Sequence, residues 1–137
     1  MTRILGLDLG TRRIGVALSD PTGTVATPLL TLAHRTLKED LAEIGGLATA
    51  HGVDRIVVGW PRNMDGTSGA AAKHAEAFAR ALRSAVPVLV ELWDERLSTA
   101  SAERTLVEAG VRRDRRRAVR DRIAAALILQ AYLAVHR

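Results

Sequence analysis

The first twenty residues constrain the fold most, because two apolar runs there are separated by a carboxylate and a glycine. Residues 4–9 form an apolar run that contains one acid, Asp8, and a second apolar run begins at Ile14. Gly10 permits a tight turn, so the two runs are predicted to pair as a β-hairpin. Burying a lone carboxylate is unfavourable unless a cation or a hydrogen-bond donor meets it. Asp8 is therefore either a turn-forming residue at a strand end or a functional acid.

The rest of the sequence predicts alternating strands and helices. Extended runs predict strands at residues 24–32, 55–59 and 88–93, and apolar periodicity predicts helices at 37–51, 70–84, 100–109 and 118–135. The predicted order is βββαβαβαα, an α/β fold with a five-stranded mixed sheet, three antiparallel strands then two parallel, flanked by helices. Because 137 residues suit one compact core, we expect residues 1–137 to form a single domain.

Composition excludes some classes of protein and favours others. The absence of cysteine excludes disulfides, thiolate catalysis and cysteine-based zinc sites. No apolar run reaches membrane-spanning length and the amino terminus lacks a signal-peptide pattern, so we expect a soluble cytoplasmic protein with no membrane partner. The net charge of +5 favours a polyanionic partner. Because only Lys38 and Lys73 are lysines, a coding bias toward arginine could also explain this charge.

Acidic residues follow the predicted strands that should end at one edge of the sheet. Asp8 and Glu95 lie at the carboxyl ends of the first and fifth predicted strands, and Asp121 lies early in the last predicted helix. Three carboxylates without a thiol or a histidine pattern suit a hard cation, Mg²⁺ or Mn²⁺. Each acid also has a structural interpretation: Asp121 could favour the helix dipole, and Asp94 or Glu95 could cap the following helix.

An arginine cluster lies beside these acids. Residues 112–117 contain five arginines, an arrangement that would hold a phosphate backbone near the site or would form only a solvated surface. The loop at residues 60–69 is longer and more polar than a connector requires. The four histidines show no metal-ligand spacing and are predicted to lie on the surface, and Trp60 and Trp93 are predicted to pack in the core.

Four motifs in this order resemble a known family. They are residues 7–11, residues 58–66, residues 94–99 and Asp121 with the apolar run after it. Together they make the chain similar, along essentially its whole length, to the YqgF (RuvX) family in the ribonuclease H superfamily. Members of that family are described as pre-16S rRNA nucleases and as Holliday-junction-resolvase-like proteins.

The resemblance implies a ribonuclease H-like fold and specific site residues. Asp8, Glu95 and Asp121 would be catalytic acids that bind Mg²⁺ or Mn²⁺. Nucleic acid would be contacted by Arg12, Arg13, Arg62, Asn63, Asp65, Arg96, Arg112, Arg113, Arg115, Arg116 and Arg117. The chain departs from the family pattern at Trp60, where Leu is common, and in a basic segment that is all arginine where lysine is frequent.

The sequence is compatible with several functions. The leading hypothesis is a metal-dependent endonuclease acting on structured nucleic acid, which would process the 5′ end of pre-16S rRNA in ribosome biogenesis. The alternative is a resolvase of four-way DNA junctions in recombination and repair, which would need a homodimer to cut two strands. A third class is a non-catalytic nucleic-acid-binding module, in which the acids are structural. The Asp-Leu-Gly-Thr turn at residues 8–11 also resembles the phosphate-binding hairpin of sugar kinases and actin-like ATPases, which need a second domain that 137 residues do not supply.

Overall fold

The computed structural model describes residues 3–95 and 113–136, with side chains in the second range described from residue 123 onward. The elements in chain order are β1 (Arg3–Leu9), β2 (Arg13–Ser19), β3 (Ala26–Ala33), α1 (Leu37–Ala50), β4 (Val53–Trp60), α2 (Ala70–Ala85), β5 (Leu89–Asp94) and α3 (Arg113–Val135). This order confirms the predicted succession of strands and helices within those ranges. The helix predicted at 100–109 lies outside the described residues.

The five strands form one mixed sheet in the order β3-β2-β1-β4-β5. β1 pairs antiparallel with β2 and parallel with β4, while β3 and β5 extend the sheet on either side. The predicted three antiparallel and two parallel strands are confirmed. β1 is the central strand, and its side chains Leu5 and Leu7 are fully buried on one face of the sheet. The carboxyl ends of β1, β4 and β5 therefore meet at one edge of the sheet.

Helices cover both faces of this sheet. α1 and α2 pack on the face that carries Leu5 and Leu7, where Phe78 and Leu82 join the core. α3 packs on the opposite face through a hydrophobic cluster that includes Ile128, Leu129 and Tyr132. A Cβ built at Gly6 would lie 2.8 Å from Leu129 Cβ, so the missing side chain lets α3 approach β1 closely. No helix in residues 3–95 and 113–136 combines the length and apolarity needed to cross a bilayer.

α3 begins earlier than its periodicity predicts. The helix begins at Arg113 rather than near Ala118, so most of the arginine cluster lies within it. Arginine is a good helix former, and no glycine or proline separates residues 113 and 118, so the helix has no local reason to start later. Asp121 consequently lies in the third turn, and the interpretation that it stabilises the start of the helix is wrong.

The turn between β2 and β3 is held by one carboxylate. Asp20 accepts hydrogen bonds from the hydroxyl and backbone N–H of Thr22 and from the backbone N–H groups of Thr24 and Val25, the latter two at 2.8 Å. Gly23 completes the turn at φ 70°, a conformation that favours glycine. The hydrogen bond from the Thr22 side chain, followed by those from the backbone of Val25 and Thr24, lowers the pKa of Asp20 far below its ordinary value.

We expect Asp20→Asn to lower the urea midpoint of unfolding at pH 7. A carboxyl whose pKa is depressed by folding stabilises the native state above its ordinary pKa near 4, and that stabilisation is lost as the pH falls below it. The difference in midpoint between wild type and variant should therefore shrink from pH 7 to pH 3. A constant difference across this range would show that the ionised carboxylate does not hold the turn.

Candidate active site

Asp8 lies at the end of the central strand with a glycine beside it on each neighbouring strand. Its partner on β2 is Gly15. The parallel register pairs Leu7 with Val58, which places Gly59 beside Asp8 one residue further along β4. Because side chains alternate along a strand, Asp8 lies on the same face as Gly6, which is the face covered by α3. The two flanking glycines leave room around the half-buried Asp8 carboxylate on that face.

Glu95 enters this space from the end of β5. Glu95 is only 9% exposed, and a Cβ built on Gly59 would collide with its Oε2 atom. The Glu95 backbone N–H donates to the carbonyl of Trp60 at 3.3 Å, which holds the chain as it leaves β5. Neighbouring strands lie ~4.8 Å apart, so a carboxylate seated over Gly59 is next to Asp8. The structure therefore brings two of the predicted acids together.

The backbone of α3 carries position 121 toward the same edge. Tyr132 hydrogen-bonds Arg55 near the start of β4, whereas Ile128 contacts the Gly59 position near its end. Moving toward the amino terminus of α3 therefore approaches the carboxyl edge of the sheet, and Asp121 lies ~10 Å beyond Ile128 along the helix. By helical periodicity, position 121 shares a face with Ala125 and Ile128, both buried on the sheet. The Asp121 side chain lies outside the described part of the chain.

The chemistry of this site fits a hard divalent cation. Asp8 and Glu95 offer oxygen ligands, and Gly59 provides the gap in which the Glu95 carboxylate sits beside Asp8. Among the side chains that the structure describes, no group of three or more acids or histidines is placed to hold a metal ion. A complete ligand set would thus need Asp121 or substrate oxygens, and the assignment of the three acids as metal ligands stays a prediction.

Arg62 was predicted to contact nucleic acid, but in the structure its guanidinium contacts other parts of the protein. It stacks over the Trp60 ring at 4.4 Å, and its Nη1 lies 3.8 Å from the Asp94 carboxylate. Its Nη2 also donates to the carbonyl of Gly66. These three contacts tie the 60–69 loop to the ends of β4 and β5, and contact with nucleic acid stays a prediction.

Asn63 and Asp65 shape the same loop from within. Asn63 Nδ2 donates to Thr67 Oγ1 at 3.0 Å, and Asp65 Oδ1 accepts from the backbone N–H and the hydroxyl of Thr67 at 3.0 and 2.6 Å. Gly66 adopts φ 87°, which closes the turn. The loop is thus an organised structure at the edge of the site, and the predicted substrate contacts of Asn63 and Asp65 stay untested.

The remaining predicted nucleic-acid contacts differ in how far the structure describes them. Arg12 is exposed and Arg13 half-buried at the hairpin that follows Asp8. Arg96 and Arg112 lie outside the described residues. Four arginines belong to the helical backbone of α3, with side chains that are not described: Arg113, Arg115, Arg116 and Arg117. Their roles remain predictions.

Sequence reasoning missed two polar contacts near this edge. Asp40 is buried, and its carboxylate bonds the His34 ring and the backbone N–H of Arg35, which joins the end of β3 to α1. The His34 side chain itself is 26% exposed, so it lies at the surface as predicted, but no spacing signal indicated its contact with the buried Asp40. The second contact joins the Trp60 indole N–H to Glu76 at 2.9 Å. The predicted core packing of Trp60 is confirmed, as is that of Trp93, which lies edge-on to Tyr132.

A groove of about 730 Å³ lies elsewhere on the molecule. It is lined mainly by apolar side chains of α1 and of the connection from α2 to β5, including Leu41, Val53 and Val88. Val53 and Val88 precede or begin their strands, so this groove lies at the amino edge of β4 and β5, opposite the acids. It contributes no group to the site.

Comparison with known proteins gives consistent matches along the chain. The RuvX family, described as Holliday junction resolvase, matches residues 2–135. A protein of Myxococcus xanthus is 50% identical over 135 residues, 98% of this chain and 89% of that protein. One of Geobacillus kaustophilus is 52% identical over 133 residues, 96% of each chain. Both carry the name "Putative pre-16S rRNA nuclease".

Solved structures share the fold at low sequence identity. RuvC of Thermus thermophilus, in complex with a Holliday junction substrate, superposes with a TM-score of 0.53 at 13% identity, covering 99% of this chain and 96% of that one. The fowlpox virus Holliday junction resolvase gives a TM-score of 0.56 at 13% identity, covering 98% and 99%. The fold of this chain is thus the ribonuclease H-like fold of these resolvases.

Proposed function

The chain belongs to the RuvX family, and from that membership we propose that it is a nuclease that processes the 5′ end of pre-16S rRNA. The observation that carries the proposal is the Glu95 carboxylate seated over Gly59, beside Asp8 at the carboxyl edge of the sheet. Two relatives about half identical to this chain carry the name "Putative pre-16S rRNA nuclease". We further propose that one domain, acting in the cytoplasm, carries the whole function.

The acids would bind Mg²⁺ or Mn²⁺, which makes the proposed nuclease metal-dependent. Asp8 and Glu95 would hold the ions from the sheet and Asp121 from α3. When bound, such ions activate water and stabilise the leaving oxygen of a phosphodiester. The low exposure of Glu95 limits the access of other water molecules to its carboxylate. Arginines at the hairpin and on α3 neutralise the phosphate charges of the substrate backbone.

A second candidate, resolution of four-way DNA junctions, is favoured by the family description and by the shared fold. Resolution requires two cuts in opposed strands, so it would need two copies of this single site in a homodimer. Sedimentation of the protein alone and bound to a junction would show whether such a dimer forms. A monomer in both conditions would remove this candidate.

The two functions are separated by one side-by-side cleavage assay. Labelled pre-16S rRNA fragments and four-way DNA junctions are incubated with the protein in Mg²⁺, in Mn²⁺ or in EDTA. We expect metal-dependent cutting near the mature 5′ end of the rRNA and little cutting of junctions. Binding without cutting in every condition, unaffected by EDTA, would overturn the nuclease and support a non-catalytic binding module.

The arginines of α3 make a prediction about binding. Positions 113, 116 and 117 share one face of the helix, whereas position 115 lies on another. We expect replacement of Arg113, Arg116 and Arg117 with Ala to weaken RNA binding and to reduce its log–log salt slope by about two to three, roughly one for each lost phosphate contact.

Arg115→Ala provides the matched control for this face. It removes one charge from the same segment and should lower the slope by about one or less. The measurement is RNA affinity between low and high salt in the absence of cleavage. An unchanged slope in the triple variant would show that the cluster is only a solvated surface.

A further inference from the structure

Trp60 connects α2 to the strand end that precedes the site. Its indole N–H donates to Glu76 Oε2 at 2.9 Å, and the Ser68 hydroxyl donates to the same oxygen at 2.9 Å. The bond from Trp60, then that from Ser68, lowers the pKa of Glu76, since both bonds favour the ionised carboxylate. The last residue of β4 is thereby held against the first half of α2.

The ring of Trp60 also carries the guanidinium that reaches β5. Arg62 stacks over this ring at 4.4 Å and extends its Nη1 to within 3.8 Å of the Asp94 carboxylate. Trp60 and Asp94 are themselves paired in the register of β4 and β5. Glu76, Trp60, Arg62 and Asp94 thus form one continuous set of contacts, which we call the Trp60 strut.

The Trp60 strut lies on the opposite face of the sheet from Asp8 and Glu95. Trp60 packs into the core beneath α1 and α2, whereas Glu95 lies over Gly59 on the face covered by α3. Asp94 and Glu95 are adjacent in the chain, so fixing Asp94 on one face directs Glu95 toward the other. The Glu95 N–H donates to the carbonyl of Trp60 itself, at 3.3 Å.

We propose that Trp60 is a positioning residue for Glu95 and that it acts from the opposite face of the sheet, through its contacts with Glu76 and Arg62. The role rests on the proposed nuclease function, because it assigns Trp60 to the placement of one proposed metal ligand. An aliphatic side chain at this position would offer neither an N–H nor a ring on which a guanidinium can stack.

Substitutions at both ends of the indole hydrogen bond test the proposal. Trp60→Phe keeps a ring beneath Arg62 but loses the N–H, and Glu76→Ala loses the acceptor. We expect each to lower kcat about tenfold with KM within about twofold, because misplacing a reacting group mainly slows the chemical step. Glu76→Gln keeps an oxygen acceptor and should retain most of the activity. The double variant Trp60→Phe with Glu76→Ala should lose no more than either single variant.

Tyr132→Phe controls for loss of stability alone. Tyr132, a residue of α3 outside the Trp60 strut, donates to Glu91 at 2.7 Å and accepts from Arg55 at 2.5 Å. It should lower the melting temperature with kcat unchanged. Equal loss of kcat in Tyr132→Phe and Trp60→Phe, or additive losses in the double variant, would overturn the positioning role.

Hydrogen exchange at the Glu95 amide tests the strut without any cleavage. We expect Trp60→Phe and Glu76→Ala to raise the exchange rate of this amide about tenfold, with exchange at the centre of β1 unchanged. Unchanged exchange at Glu95 would overturn the proposal even if the variants lose activity. If the wild-type protein cuts no substrate, the nuclease function fails, whereas faster exchange in the variants would still show that Trp60 fixes Glu95.

Discussion

Asp8→Asn is expected to abolish cleavage while leaving the fold and most substrate binding intact. Asn has nearly the shape of Asp but lacks the negative charge with which a carboxylate ligand stabilises a bound divalent cation. Loss of about 4 kcal/mol of transition-state stabilisation corresponds to a rate roughly a thousandfold lower. The fold should survive because the carboxylate lies between two glycines rather than within the aliphatic core. Single-turnover cleavage and circular dichroism of wild type and variant provide the measurement.

Asp54→Asn is the matched control. Asp54 is exposed and lies near the amino end of β4, at the edge of the sheet opposite Asp8. The same chemical change there should leave the cleavage rate within about twofold, as is usual for surface substitutions. Full activity in Asp8→Asn would contradict the metal-site assignment, and equal losses in both variants would show an effect of net charge.

Gly59→Ala is expected to damage both the site and the fold. The added Cβ would collide with Glu95 Oε2, lie 2.8 Å from Ile128 Cδ1 and lie 3.3 Å from the carbonyl oxygen of Leu7. Overpacking of this kind costs about 2 kcal/mol of unfolding free energy. Because Glu95 must leave its place beside Asp8, we expect cleavage to fall about a hundredfold even well below the melting temperature.

Substitutions at two other glycines distinguish the effect on the site from the effect on stability. In Gly6→Ala the added Cβ meets Leu129 Cβ at 2.8 Å and the Ala125 carbonyl at 3.2 Å, so α3 is strained without contact to Glu95. Gly46→Ala meets nothing within 4 Å in the middle of α1, and it should stabilise the protein by about 1 kcal/mol. Gly59→Ala should be less active than Gly6→Ala when the two variants have equal unfolding free energy. Equal activity would show that the reaction does not depend on the position of the Glu95 carboxylate over Gly59.

The fold could be predicted largely because local signals agree with it. The glycine after Asp8 and the apolar runs around it specify the first hairpin, and the almost wholly apolar run at residues 55–59 specifies a buried parallel strand. That Asp8 and Glu95 meet at one edge also follows from strand order, since parallel strands end together. The start of α3 was missed because the polar arginine cluster hides a helix that has strong propensity but no apolar periodicity.

The tertiary contacts of the site could not be predicted in the same way. Nothing local shows that Gly59 leaves space for a carboxylate 36 positions later in the chain, or that Arg62 reaches Asp94. Both depend on the pairing of β4 with β5, in which a shift of one residue would exchange the two faces. The resemblance implies that Arg62 contacts nucleic acid, and no local pattern shows that the fold also places its guanidinium against an aromatic ring and an acid.

Because α3 packs closely on β1, the proposed site is built from two layers, the sheet and this helix, which can separate from each other. The sheet contributes Asp8 and Glu95, and the helix carries position 121, so the proposed set of three acids would form only while α3 rests on Gly6. A local opening that lifts α3 would dismantle this proposed site while the sheet, α1 and α2 stay folded. The free energy of that opening, rather than of global unfolding, then sets the fraction of molecules competent for the reaction at any moment.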